Sequence, residues 1–509
     1  MARERAFWER EPTNLAVRRL AESSPLTIVV GAGSSVEAGL PTWIELIEAL
    51  LQRVAVPELR SSRAITGEGP LSPEDQDCID AFCSWTMEVE GLLGAAAVVR
   101  AALPDNELDT AIVEILYGNV GSKPPPGPTV KGLARIRALW GDECEIVTTN
   151  YDRLIETALV DLLGVPPDDV VSATDAEPRP GKIVVRHLHG VRTLDYGDGE
   201  LIFAEGDYHR MQSGSEWQEE YFREKLAQTT CVFAGASMSD PNLLRYLYRA
   251  PAVSSDETRH IAVVVRQSDD WEFREDVAPE VRAAHAEAVR RRWKGAGVEP
   301  LQADYFVQSS QFLHEVALLR ERQHIARYGQ RLEAWETLIE DGILQTANRE
   351  RFIRTQDQLS SLLRAWIRGV AFALGRSPEE EQLALQLWVR DPSDHALIFW
   401  AASDRSWREP GGLAIEPITR PTNRLAVEAF CSGNPIDVSL VDSSSRWNFL
   451  RAVPFFIENH DVWGRLPIGV LTISSTAPQD ETMLYPADPD RWDAAQRYLL
   501  PLVEELLTP

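Results

Sequence analysis

The sequence predicts an α/β protein: a parallel sheet with a helical insertion, followed by a helical connector and a second, smaller α/β domain. Three observations point there. Short β-branched runs alternate with helical patterns up to about residue 310. Several of those runs end in glycine or in a cluster of polar residues. Beyond residue 310 the periodicity becomes helical and then returns to β. A chain of 509 residues is too long for one core, and domains are expected at 1–310, 311–378 and 379–509.

The first strand is expected at 26–30, an apolar run closed by Gly31. A mainly helical stretch follows from about 43 to 140. It is interrupted at 122–129, where Pro124, Pro125, Pro126 and Pro128 demand a loop. Further strands are expected at 145–148, 182–188, 230–234, 261–265 and 303–307. Helical patterns separate them, as in a parallel sheet covered on both faces. From 311 to about 374, helical spacing rich in Arg, Glu, Gln and Leu predicts a bent helix or a helical pair, serving as stalk, bundle or dimer interface. Strands at 383–389 and 396–401 are expected to flank a turn at 391–394. A helix at 424–431, strands at 451–457 and 468–474, and a closing helix at 489–507 complete the series.

Composition narrows the function classes. Apolar residues make up 44% and charged residues 25%, a globular balance. The net charge of −27, from 51 Lys and Arg against 78 Asp and Glu, repels nucleic-acid phosphates and anionic lipid. Neither a nucleic acid nor a membrane is therefore expected as a partner. The basic run at Arg290, Arg291, Arg292 and Lys294 reads as the polar end of a helix that starts near Pro279. Cys78, Cys83, Cys144, Cys231 and Cys431 contain no Cys-x-x-Cys pair, so no zinc ribbon and no bound metal are expected. Sparse cysteines and charges scattered through the first twenty residues predict a cytoplasmic chain without a signal peptide.

The chemistry-bearing residues fall at strand ends. Gly31-Ala32-Gly33-Ser34 follows the first strand and is expected to open a helix, with glycines allowing close approach to a pyrophosphate and free N–H groups facing it. Thr148-Thr149-Asn150-Tyr151-Asp152 follows the second strand, His187-Leu188-His189-Gly190 the third, and Gly235-Ala236-Ser237 with Asp240 and Asn242 the fourth. Each has an ordinary structural use: Asn150 as a helix cap, His189 as a core histidine, Ser237 and Asp240 as turn residues. In an open, Rossmann-like parallel sheet, however, the carboxyl ends of the strands line one crevice, and the four clusters are expected to converge on one ligand.

These elements, together with Ala38-Gly39-Leu40-Pro41, occur in the order found in the sirtuin superfamily, which the chain resembles from about 26 to 307. The resemblance implies NAD as the ligand. It assigns Gly31, Ala32, Gly33 and Ser34 to the pyrophosphate, Asn150 and Asp152 to the nicotinamide ribose, His189 to the catalytic base, and Gly235 and Ser237 to the adenosine side. Asp240 and Asn242 are added as cofactor-binding candidates. The chain departs from deacylating sirtuins in having no zinc ribbon, Ile44 in place of an arginine, Thr149 and Tyr151 within the asparagine element, and no segment suited to an acyl-lysine peptide. It is more similar to sirtuin-like NAD hydrolases of bacterial antiphage defence, which Ala204-Glu205-Gly206-Asp207-Tyr208 and Met238-Ser239-Asp240-Pro241-Asn242-Leu243 resemble. NAD is then a substrate, cleaved at the nicotinamide–ribose bond. A protein deacylase or ADP-ribosyl transferase, and a non-catalytic module that binds NAD or ADP-ribose, are the alternatives. His187, Tyr208 and His209 are expected to be structural or to shape the substrate site.

In the second domain, Leu450-Arg451-Ala452-Val453-Pro454-Phe455-Phe456-Ile457 and Gly469-Val470-Leu471-Thr472-Ile473 resemble GAF-type sensor domains. That implies a nucleotide-like signal or a partner protein, with a homo- or hetero-oligomer as the working form. Seven tryptophans from Trp366 onward are read mainly as core.

Overall fold

The apolar run at 26–30 forms β1 (Leu26–Val30), buried along its whole length. It occupies the middle of a seven-stranded parallel sheet. On one side lie β2 (Cys144–Thr148), β4 (Ile183–His187) and the edge strand β3 (Val170–Ala173). On the other lie β7 (Thr230–Ala234), β8 (His260–Val265) and β9 (Val298–Ala303). The computed structural model describes residues 7, 10–63, 71–118, 120, 124–194, 197–213, 217–236, 238, 240–250, 260–265, 278–304, 306–321, 349–373, 381–391, 396–418, 424–440, 445–459, 462–479 and 481–482.

From β1 the chain proceeds to β2 on one side, and after β4 it crosses to β7 on the other. The carboxyl ends of β1, β2 and β7 therefore border the switch point of the sheet, where open α/β folds bind their ligands. The strand expected at 303–307 lies instead at Val298–Ala303, because residues from 307 onward enter a helix. β3 has no counterpart in the sequence reading; four residues ending in Ser-Ala are too few for a period.

The insertion between β1 and β2 consists of α2 (Trp43–Ser62), α3 (Pro73–Ala102), α4 (Asp105–Tyr117) and α5 (Pro128–Trp140), with α1 (Glu11–Glu22) ahead of the sheet. Thr42 and Glu45 form a reciprocal capping box that starts α2. The loop expected through 129 stops at Gly127, because Pro128 takes the first helical position of α5, where its missing N–H costs nothing. By length and apolar composition α3 reaches the span of a membrane, but Gly91, at φ 68° and ψ 173°, breaks it in two. After β2 come α6 (Leu154–Leu163), a small hairpin of β5 (Val191–Arg192) and β6 (Gly197–Asp198), α7 (Glu205–Ser213), α8 (Trp217–Gln228), α9 (Pro241–Arg249) and α10 (Pro279–Gly295). Arg290 and Arg291 sit at the end of α10, where both bind Glu287.

Next comes α11 (Val307–Glu321), almost wholly buried from Val307 to Leu318. It packs on α1 and α5 and also against the second sheet, so it is a shared core helix rather than a stalk. The second sheet is antiparallel, in the order β12 (Ile415–Pro417), β11 (Ala396–Ala402), β10 (Leu383–Asp391), β15 (Val462–Ser475), β14 (Phe449–Asn459), β13 (Ile436–Ser439). Strand alternation gives it two apolar faces. Leu385, Leu387 and Trp400 pack with Phe352, Leu359 and Leu363 of α12 (Arg349–Ala373). Leu397, Ala452 and Val470 pack with Val427 and Phe430 of α13 (Leu425–Ser432) and with Val307 of α11. The chain is thus a mixed α/β protein with a Rossmann-like parallel sheet and a separate, smaller antiparallel domain. Most of the expected turn at 391–394, the middle of the connector and the closing helix at 489–507 lie outside the described residues.

Candidate functional site

The site begins where two glycine turns interlock. Gly31 N–H donates to Ala234 O at 3.1 Å and Gly33 N–H to Gly235 O at 2.9 Å, joining the turn after β1 to the turn after β7. A Cβ on Gly31 would lie 2.7 Å from Ala236 Cα, and one on Gly33 2.8 Å from Gly235 O. Gly235 also adopts φ +64°, and a Cβ there would meet Ser34 N at 2.5 Å. The turn does not open an α-helix as expected. It forms two short 3-10 turns, Ala32–Ser34 and Val36–Ala38, before α2 starts at Trp43. Consequently the N–H groups of Ser34 and Ser35 bind Gly31 O and Ala32 O, and of the N–H groups from 31 to 35 only that of Ala32 has no acceptor among the described residues.

Asn150 is fixed against this turn. Its side-chain Nδ2 donates to Ser35 Oγ at 2.9 Å and to Ser34 Oγ at 3.3 Å. Both hydroxyls have given their hydrogens elsewhere, Ser34 to Gly31 O at 2.8 Å and Ser35 to Asp152 Oδ2 at 2.7 Å, so both must accept from Asn150. That sets the orientation of the amide. Its Oδ1 is buried and has no hydrogen-bond partner among the described residues. The backbone of Asn150 is held as well: its N–H donates to Thr148 Oγ1 at 3.0 Å, and its carbonyl lies 2.9 Å from His187 Nδ1. Asp152 accepts from Ser35 on one oxygen and from Leu154 N–H on the other at 3.0 Å, which anchors the start of α6. Burial pushes its carboxyl pKa up, against those hydrogen bonds.

His187 forms a buried ion pair that the sequence reading does not foresee. Its Nδ1 faces the Asn150 carbonyl at 2.9 Å and donates to it, and its Nε2 lies 2.8 Å from Glu156 Oε1 of α6, an arrangement that favours the charged ring. Burial opposes the charge on each group, yet the partners prevail: the His187 pKa is raised and that of Glu156 lowered. Ser172 of β3 also donates to the same Glu156 oxygen. Glutamate in a helix and histidine in a strand end look like any others in sequence; only the adjacency of β2 and β4 brings them together.

His189, two residues past β4, lies 3.5 Å from Asp240 Oδ2 by its Nε2. About three strand spacings, roughly 14 Å, separate β4 from β7 at sheet level. The contact therefore means that the loops after those strands arch together over the ends of β1 and β2. A backbone link ties the arch to the asparagine: Tyr151 OH donates to Ile202 O at 2.7 Å, and Ile202 N–H to His189 O at 3.2 Å. Tyr151, a departure from the usual sirtuin element, thus braces the roof of the crevice. Burial lowers the basicity of His189, with Asp240 and then Asp207 acting against it. Asp240 Oδ1 caps α9 through Asn242 N–H and Leu243 N–H. Asn242 is itself buried at the first turn of that helix. Two residues before Asp240, Met238 takes φ 57°, a left-handed conformation unusual for a side-chain-bearing residue. Ser237 lies outside the described residues. His209 is exposed on α7 beside Glu205, while Tyr208 is buried beside His189. Ile44 is half exposed at the first turn of α2.

Among the described residues no group of three or more His, Cys, Asp and Glu side chains is placed to hold a metal ion. A search of curated proteins finds no match to the chain. Residues 144–301, from the start of β2 into β9, match the family described as the SIR2-like domain; the glycine turn after β1 precedes the matched segment. SIR2-like domains bind NAD and their members are NAD-dependent enzymes. The match supports a place in the sirtuin-like superfamily for this part of the chain.

Proposed function

We propose that the protein is an NAD glycohydrolase that cleaves the nicotinamide–ribose bond of NAD to give ADP-ribose and nicotinamide. The observation that carries this reading is Asn150: a buried amide whose nitrogen is locked by two serines, leaving a carbonyl oxygen without a partner beside the interlocked glycine turns. An orphaned buried acceptor is costly unless a ligand satisfies it. In the proposed reaction the C1′–N bond breaks and its electron pair neutralises the nicotinamide ring. Positive charge builds on the ribose, as in other glycosidic cleavages, where the Asn150 carbonyl dipole favours it. Water forms the new C1′–O bond and gives its proton to His189, held neutral by burial. Gly31, Ala32, Gly33 and Ser34 flank the pyrophosphate, with Ala32 N–H as the available donor. The role of Asp152 is to hold Ser35 and the start of α6, and through Ser35 the asparagine.

Deacylation is disfavoured by the missing peptide segment and zinc ribbon. The biological reading is an antiphage effector that depletes NAD when triggered, with the C-terminal domain as a GAF-like sensor for a nucleotide-like signal or a partner subunit. Incubating the full chain with NAD and chromatographing the products tests the chemistry. Nicotinamide with stoichiometric ADP-ribose is expected. Nicotinamide release that depends on an acetyl-lysine peptide would point to a deacylase instead, and tight NAD binding without products to a binding module.

A further inference from the structure

Within that reading, we infer that Asp240 and Tyr208 are positioning residues that fix the tautomer of His189, so that Nδ1 is the proton acceptor of the site. The sequence reading places Asp240 among the groups that touch the dinucleotide. Its surroundings point to a different task. Oδ1 is occupied by the N–H groups of Asn242 at 2.8 Å and Leu243 at 2.9 Å, which pins the carboxylate to the start of α9. Oδ2 accepts the Tyr208 hydroxyl at 3.0 Å and faces His189 Nε2 at 3.5 Å. The Tyr208 ring meets the imidazole edge-on, with centroids 5.8 Å apart and planes at 70°, which restricts ring rotation. The carboxylate is thus held by protein on both oxygens, with its remaining approach turned to the imidazole.

A neutral imidazole carries one N–H. A lone pair on Nε2 would face the carboxylate oxygen and be repelled, whereas an N–H there is attracted. The proton therefore sits on Nε2 and the lone pair on Nδ1. The 3.5 Å separation is longer than a formed hydrogen bond; such contacts commonly tighten when substrate is bound. Asp207, the other carboxylate acting on His189, is already tied to Arg100 and Arg210, and to the N–H groups of Phe203 and Ala204. It is not oriented by α9, so Asp240 is the group that selects the tautomer.

The test uses the full chain labelled with [15N]histidine, with His189→Gln identifying the signal. At neutral pH the wild type is expected to show a protonated Nε2 and an unprotonated Nδ1. Asp240→Asn keeps an oxygen to cap α9 but turns an NH2 group toward His189, and is expected to move the proton to Nδ1. Tyr208→Phe is expected to give a mixture. Under conditions where the wild type releases nicotinamide, Asp240→Asn is expected to lower kcat by about 100-fold or more with KM little altered. A wild-type Nδ1–H tautomer, or the same tautomer in wild type and Asp240→Asn, overturns the inference. So does a raised KM with kcat intact, which would make Asp240 a substrate ligand. A wild type that never hydrolyses NAD refutes the hydrolase reading alone, since the tautomer measurement stands without turnover.

Discussion

Asn150 and His187 show how much of a functional residue's behaviour is set by neighbours distant in sequence. The amide of Asn150 is oriented by Ser34 and Ser35, more than a hundred positions earlier, and its backbone by His187. Asn150→Ala removes the proposed dipole and leaves the Ser34 and Ser35 oxygens without their donor. Nicotinamide release should fall by about 100-fold or more, with the chain still folded by circular dichroism; full activity in this variant would refute the assignment. The Glu156–His187 pair makes a stability prediction with a defined pH window. Glu156, with its lowered pKa, contributes fully above the ordinary glutamate value of 4.5 and loses its contribution as pH falls through the lower folded value. His187, with its raised pKa, contributes fully below the ordinary histidine value of 6.5 and loses its contribution as pH rises through the higher folded value. Glu156→Gln should therefore cost about 3 kcal/mol between those values, and the deficit should narrow as pH rises through the His187 transition. Urea melts at pH 6 and pH 9 check the sign. Asn150 and His189 stand out in the sequence because each lies in a polar cluster just past a strand end. Ser35 and Glu156 do not, and the pairing of His187 with Glu156 is not legible there, because these roles depend on partners that only the sheet order supplies.

At the scale of elements, the two glycine turns act as one clasp between β1 and β7. Gly235→Ala adds a Cβ 2.5 Å from Ser34 N at a positive φ, so the turns must separate. A loss of about 2 kcal/mol or more is expected, together with weaker NAD binding, read by thermal melting with and without NAD. A variant that melts and binds like the wild type would show that the turns have room the geometry denies. A second joint links the helical insertion to the site. Asp207 accepts from Phe203 N–H and Ala204 N–H and pairs with Arg100 of α3 and Arg210 of α7. Asp207→Ala leaves buried donors and a half-buried guanidinium unpaired, and should destabilise by about 3 kcal/mol in denaturant unfolding. Strand positions were readable from apolar runs, since a strand buried on both faces has few alternatives. β3, β12 and β13 escaped notice because edge strands of three or four residues carry too little pattern.

Across the whole molecule, α11 is the element that both sheets share. Its burial on one side against α1 and α5 and on the other against β15 and α13 means that the parallel sheet is not independent of the antiparallel domain. A chain ending at 348 uncovers Val307 and the face of α11 turned to β15, at about 2 kcal/mol for each large apolar side chain exposed. Its Tm should fall by several degrees or more; an unchanged Tm would show that the second domain is merely tethered. On the proposed sensor reading, the same contact is the route by which a signal at the C-terminal domain would reach the parallel sheet. The sequence by itself determined the α/β class, most strands of the parallel sheet and the residue types at their ends, because alternation, apolar runs and glycine turns are local properties of the chain. Tertiary structure alone decided that the glycine turn forms 3-10 turns clasped to β7, that His187 pairs with Glu156, that Asp240 faces His189, and that α11 is shared. Those features arise from strand order and packing, which join residues a hundred or more positions apart and leave no period in the sequence.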